Sequence, residues 1–357
     1  MLLLHTHRQR TRNAGDWLIQ HTLRKNIAAL GSYDIDAAYI GDNISSALKA
    51  GRHDRIIIAA LSIFDDVYPN FMPLTGDLEA LSLPIFPIGC TWQHPFGHPE
   101  FALRAQLNEA TKKFFHRLVK DGGAVPVRDH QAQSILHRNE VSAKFVGDCG
   151  LYEPTSIGRR MRRDGTVRSV VFTTPHNKMY RNHAAGVISM IAEEFPDAEK
   201  YISHQSLPGT YDLVLQQEAE KKGFKTILPC ERLELIEEYA QFDLHIGYRL
   251  HGHIGFLRQR VPSVLLVEDA RGEGFQSSFP IGCFSARRLT ADPAIAAYAP
   301  AEEVRRYVMP DEAAIPRIRE FLRQERSTNF RRYACLGDMI DTAYEEAFMP
   351  ALKSILS

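Results

Sequence analysis

Along this chain, short runs of aliphatic and β-branched residues alternate with longer stretches whose apolar positions recur every three or four residues. Residues 2–6 read as a first strand, and 16–30 as a helix with Ile19, Leu23, Ile27 and Leu30 on one face, stopped by Gly31. The pattern predicts further strands at 35–40, 55–62, 84–89, 124–127 and 143–146, with helices at 101–119 and 129–138 among them. Between 152 and 165 it lapses into Pro154, Gly158 and a basic cluster, Arg159, Arg160, Arg162 and Arg163, which reads as a solvated linker. Then it restarts. Strands are predicted at 167–173, 201–203, 225–228, 244–247 and, as the last clear one, 263–267, with helices at 184–195, 211–222 and 232–239. The stretches 311–326 and 329–354 are helical in pattern.

Such alternation predicts parallel sheets covered by helices. Two arrays of similar length predict an α/β protein of two doubly wound, Rossmann-like domains facing across a cleft. The expected units are residues 1–157 and 158–310, the second holding the donor site, with helices over 311–357 packing back on both. A chain of 357 residues is long enough for two cores. Ligands of such folds sit beyond the carboxyl ends of the strands.

Composition narrows the function more than the fold. Lysine plus arginine (43) equals aspartate plus glutamate (43), so the net basic surface of a nucleic-acid protein is missing. The five cysteines are far apart with no CxxC pair, which excludes a disulfide framework or zinc knuckle and predicts a reducing, cytoplasmic setting. No run reaches the roughly 20 apolar residues of a membrane helix, and the apolar start is too short for a secretion signal. Oligomeric state is left open.

Four segments carry candidate chemistry, each at a strand's carboxyl end. Arg12-Asn13-Ala14-Gly15-Asp16 precedes the first helix; Gly15 would let a ligand approach the backbone, and Asp16 would cap the helix. It holds no GxGxxG, which disfavours a nicotinamide cofactor. Val127-Arg128-Asp129 places an arginine at a strand end, where its guanidinium can fork onto a carboxylate or phosphate. His245-Ile246-Gly247-Tyr248-Arg249-Leu250-His251-Gly252-His253 runs from a buried strand into a helix, whose amino terminus suits an anion. There Arg249 adds a fixed cation, His251 can move a proton near neutral pH, and Gly252 permits close approach. No carboxylate stands at metal-ligand spacing, so no metal is expected, and His245 reads as a buried, hydrogen-bonded strand histidine. Glu268-Asp269-Ala270-Arg271-Gly272-Glu273-Gly274-Phe275 reads as a polar, glycine-rich loop in which Arg271 is a second anion clamp.

In this order the segments resemble the polysaccharide pyruvyl transferase family. Its Asn-x-Gly-Asp turn is matched by Asn13-Ala14-Gly15-Asp16, and its Val-Arg-Asp segment by Val127-Arg128-Asp129. Its Arg-x-His-Gly element, followed by a strand entered through proline, is matched by Arg249-Leu250-His251-Gly252 and Val261-Pro262. The resemblance implies a fold like the GT-B glycosyltransferases, phosphoenolpyruvate as donor, a sugar or glycan as acceptor, and no cofactor. It places the catalytic arginine and histidine roles on Arg128, Arg249 and His251. A basic residue, usually lysine, is expected after the later strand, where Arg271 is nearest. The segment Thr173-Thr174-Pro175-His176-Asn177-Lys178 has no counterpart in that pattern, and His176, Asn177 and Lys178 would touch acceptor or donor phosphate. Two rivals share the architecture: a nucleotide-sugar glycosyltransferase and a non-catalytic glycan- or phosphate-binding module.

Overall fold

The first apolar run, Leu2-Leu3-Leu4, lies fully buried near the centre of a parallel sheet in the computed structural model, which describes residues 1–6, 12–49, 52–94, 98–296 and 301–357. Strands β1 (Leu2–His5), β2 (Asp36–Tyr39), β3 (Ile56–Ala59) and β4 (Ile85–Ile88) run parallel in the order β2-β1-β3-β4. The strand expected over 55–62 stops at Ala59, because Ala60 takes a left-handed backbone (φ 52°) that turns the chain out of the sheet. Beyond it Ser62–Ile63 pairs with Thr91–Trp92. Strands β5 (Val125–Val127) and β6 (Ala143–Phe145) form a parallel pair, tied to the end of β4 by a bridge from Cys90 to Val127.

The second array is a six-stranded sheet. Strands β7 (Ser169–Thr173), β8 (Glu199–Ser203), β9 (Phe224–Ile227), β10 (Leu244–Gly247), β11 (Ser263–Val267) and β12 (Cys283–Ser285) pair in the order β9-β8-β7-β10-β11-β12. All their pairings are parallel. Every residue of β10 and β11 is buried, as a strand covered on both faces requires. Strand β12 lies beyond the last strand the sequence predicted. So does an antiparallel pair of β13 (Arg287–Leu289) with β14 (Val308–Pro310). These short strands carry Ser285, Arg287, Arg288 and Pro310, so they show no apolar run.

The helices follow the apolar stripes, with two corrections. The helix expected over 101–119 is two, Pro99–Arg104 and Glu109–Gly122, because Asn108 starts the second by accepting the Thr111 N–H at 2.8 Å. The helix expected over 232–239 is a 3-10 segment, Leu233–Gln241. Helix α1 (Ala14–Leu30) buries Leu18, Ile19, Leu23 and Ile27. Its first turn meets α2 (Leu250–Arg258) of the second array, so apolar packing runs without a break from one half to the other. In the basic linker Arg159, Arg160 and Arg163 are exposed as expected, while Arg162 bonds the Phe242 carbonyl at 2.5 Å and Asp243 at 2.6 Å. The carboxyl-terminal helices touch both arrays: Arg323 pairs with Glu194, and Arg55 donates to the Ile355 carbonyl at 2.6 Å. Among the described residues no helix is long and apolar enough to cross a membrane.

Candidate active site

The loops after β1, β5, β7, β10 and β11 bring most of the candidate residues to one cleft between the halves. The Asn13 side chain caps α1, accepting the Gly15 N–H at 3.0 Å. The cap is therefore Asn13 and not Asp16, which lies in the first turn. The space left by the missing Gly15 side chain is taken by the protein itself. A β-carbon there would lie 2.5 Å from His251 Nδ1 and 2.7 Å from its Cβ.

Arg128 directly follows β5 and reaches the wall of the cleft, but it does not arrive there unpaired. Its side chain is almost wholly buried, with Nη1 bonded to Asp148 at 3.0 Å and Nε 3.6 Å from Asp129. Among the described residues Nε and Nη2 of Arg128 meet no hydrogen-bond acceptor, which leaves directed N–H groups unspent. Asp129 instead caps the next helix (His130–Arg138) through the Ala132 N–H at 2.7 Å. Burial opposes ionisation of Asp148, yet the adjoining imidazole of His251 and guanidinium of Arg128 hold it down at about 2. His251 Nε2 is 3.8 Å from that carboxylate and likewise meets no hydrogen-bond partner among the described residues. An imidazole from one half thus faces a carboxylate from the other.

Arg249 occupies the cap position of α2 and donates to Ser206 Oγ at 2.7 Å, with the His176 ring 3.4 Å away. Among the described residues it pairs with no carboxylate, and its burial pulls its pKa down. Arg271 is not in a loop: it stands in the first turn of α3 (Ala270–Ser278), which Asp269 caps. Nε and Nη2 of Arg271 both reach Asp269 Oδ2, at 3.0 and 2.5 Å. Its charge is therefore largely matched before any ligand arrives. Burial opposes the charge on Asp269, but Arg271 holds it at about 2.

Glu268, at the end of β11, accepts the His176 N–H with both oxygens (2.9 and 3.1 Å) and the Asn177 N–H at 3.1 Å. Burial and then the charge of Asp269 push it up to about 7. His176 is kept below its ordinary range by burial and by Arg249 and Arg271. Asn177 and Lys178 turn away from the cleft: Asn177 caps the short turn Lys178–Tyr180, and Lys178 lies 5.6 Å over the Tyr211 ring. Gly252 is also off the cavity wall; its Cα faces Thr173, where a β-carbon would sit 3.0 Å from Cγ2. His245 is the buried histidine the sequence suggested, bonded to Thr173 at 2.9 Å and to Ser263 at 2.6 Å.

These residues line two connected spaces. The wide one, about 630 Å³, is walled by Asp16, Tyr39, Ser62, Phe71, Gln93 and Arg128 from the first half and by Ser206 and Leu207 from the second. The narrow one contains Arg249, Glu268, Asp269, Gln205 and Tyr248. It measures about 40 Å³, where one water needs about 10–15 Å³. It therefore admits one small group, such as a phosphate or a carboxylate. Asn13, His176, His251 and Arg271 belong to the walls of both. Asp148 and Glu268 are acids at the site that motif reasoning did not single out. Glu268 directly follows β11, the same placement that singled out Arg128, and Asp148 stands three residues beyond β6.

A family model described as polysaccharide pyruvyl transferase matches residues 13–269. In structure, the chain is similar to S. aureus MnaA solved with UDP, at 10% identity and a TM-score of 0.52, over 98% of this chain and 93% of that one. It is also similar to a putative UDP-N-acetylglucosamine 2-epimerase from Listeria monocytogenes, at 10% identity and a TM-score of 0.53, over 96% and 93%. Likeness at that identity shows the fold, the two facing α/β halves of GT-B proteins. No curated protein sequence matches.

Proposed function

This chain belongs to the polysaccharide pyruvyl transferase family, and on that premise we propose that it moves the pyruvyl group of phosphoenolpyruvate onto a sugar of a glycan or glycan precursor as a ketal, releasing phosphate. The observation that carries the reading is the shared wall. A narrow space fit for one anionic group opens into a space of sugar size, and His251 stands at the boundary.

Phosphoenolpyruvate carries a carboxylate and a phosphate, and two arginines have N–H groups to offer. Among the described residues Arg249 pairs with no carboxylate, and Arg128 keeps Nε and Nη2 unspent. Planar forks of this kind suit both anionic groups. His251, protonated, gives its proton to the methylene carbon of the donor, and C2 becomes cationic. Asp148 opposite steadies the imidazolium that this step requires. One acceptor hydroxyl adds to C2 and surrenders its proton, restoring the acid. The C2–O bond to phosphate then breaks, a second hydroxyl closes the ketal, and its proton leaves on the phosphate. Two hydroxyl protons are lost, one to the new methyl group and one to phosphate, so the step balances.

The small volume of the narrow end favours a donor with one phosphate over a nucleotide-sugar. The proposed setting is the cytoplasm, consistent with five free cysteines. The test is phosphate release from phosphoenolpyruvate over a panel of glycosides, with Arg249→Ala and His251→Ala as controls. Sugar-dependent phosphate that disappears in both variants is the expected result. Undiminished transfer by a folded His251→Ala would remove the histidine from the mechanism. Binding of a nucleotide-sugar without binding of phosphoenolpyruvate would overturn the donor.

A further inference from the structure

Glu268 differs from the other acids around the cleft. Asp148 is paired with Arg128, and Asp269 with Arg271. Glu268 forms no ion pair among the described residues; its oxygens accept only the backbone N–H groups of His176 and Asn177. It is also buried, 8% exposed, in the wall of the narrow space. An anion entering there meets a carboxylate at close quarters in a poorly solvated site. Two negative charges so placed repel, and the repulsion is relieved when one of them takes a proton.

The groups facing Glu268 decide which one does. From α3 come Asp269, already held as a carboxylate, and Arg271, a permanent cation. From the start of α2 comes Arg249, and from the loop after β7 the ring of His176. Behind it stand Tyr180 and Tyr248, whose hydroxyls burial keeps neutral. In the empty site Glu268 is already pushed up to about 7 by burial and Asp269.

We infer that Glu268 takes up a proton when the donor's anionic group enters the narrow space, and that the resulting neutral carboxyl donates a hydrogen bond to that group. The carboxyl then acts as a third donor beside Arg249 and Arg271, the two arginines that wall the narrow space, and is present only while the ligand is. The inference rests on the narrow space being the donor's anion site. It adds that donor binding is coupled to a proton, and that the coupling belongs to one side chain.

The test is calorimetry of phosphoenolpyruvate binding to the full chain at pH 8, without acceptor, in two buffers of different ionisation enthalpy. A phosphate monoester is already a dianion at that pH. Unliganded Glu268 is then about one-tenth protonated, so the expected uptake is up to about 0.9 proton per site. Glu268→Asp and His176→Gln should keep the uptake, and Glu268→Gln should lose it. Uptake below about 0.2 in the wild type, or undiminished in a folded Glu268→Gln, overturns the inference. Should that variant not fold, the His176→Gln/His251→Asn double variant decides. Uptake that persists at pH 8 and shrinks toward pH 6 leaves the carboxyl as its source, and its loss overturns the idea. Inorganic phosphate serves as second titrant. If it binds with Glu268-dependent uptake while phosphoenolpyruvate does not bind, the donor assignment falls and the role of Glu268 stands. If neither anion binds, both fall.

Discussion

Gly15→Ala adds one methyl group at the point where the two halves touch. In the first turn of a helix, alanine in place of glycine ordinarily gains up to about 1 kcal/mol. Here the new carbon would lie 2.5 to 2.8 Å from Nδ1, Cβ and Cγ of His251. Because Cβ of His251 is among the atoms struck, turning the ring cannot relieve the clash. Helices α1 and α2 must move apart, at about 1–3 kcal/mol for an overpacked contact. The cost outweighs the gain by up to about 2 kcal/mol, so the melting temperature should fall by a few degrees. Activity should not be spared. His251 is carried off its place opposite Asp148, and displacement of a catalytic group by a fraction of an ångström to 1 Å costs on the order of 10- to 100-fold in rate. The assay pairs thermal unfolding with steady-state phosphate release. The expected result is a fall in kcat larger than any rise in KM for donor, since the atoms struck belong to His251 and not to Arg249. A Gly15→Ala variant with full kcat and a raised melting temperature would show that His251 need not sit where it does, and would refute the reasoning.

Three further outcomes follow from the same geometry. Arg249→Lys replaces a fork by a point charge at the cap of α2, and should raise KM for phosphoenolpyruvate about 10-fold or more, measured by initial rates. Arg258 is fully buried against Glu153 and Glu237; Arg258→Met leaves Glu153 buried beside Lys25 and the Thr155 hydroxyl, and should cost about 3 kcal/mol in urea unfolding. Asp148 and Asp269 are held at about 2 against an ordinary 3.8, so each lends stability that is complete above pH 4 and is lost as pH falls toward 2. About 2 kcal/mol per group should disappear in that window, and Asp148→Asn should flatten its share of the acid limb.

The fold was legible where burial is continuous or periodic. β11 runs Val264-Leu265-Leu266-Val267 without a polar break, and α1 shows its stripe. What escaped were β12, β13 and β14, short strands broken by Ser285, Arg287, Arg288 and Pro310, and the 3-10 segment, too tight for the helical period. Arg249 and His251 were legible because one short segment carries both. The state of the other charges was not. That Arg271 is matched by Asp269, and Arg128 by Asp148, depends on side-chain direction, which spacing along a chain does not encode. Asn177 and Lys178 adjoin His176 in sequence, but the turn that Asn177 caps aims them elsewhere. Glu268 is fixed to a loop about 90 residues earlier, a pairing set only when β7 and β11 join one sheet.

The contact of Gly15 with His251 also bears on how such a chain can change over generations. Residue 15 is confined to a hydrogen side chain by an atom encoded more than two hundred codons away. Neither half can therefore drift alone at this point. A chimera that joins the first half of one such protein to the second half of another inherits two surfaces shaped for absent counterparts. Recombination should succeed when crossovers keep residues 15, 148 and 251 from the same parent, and fail when they part them.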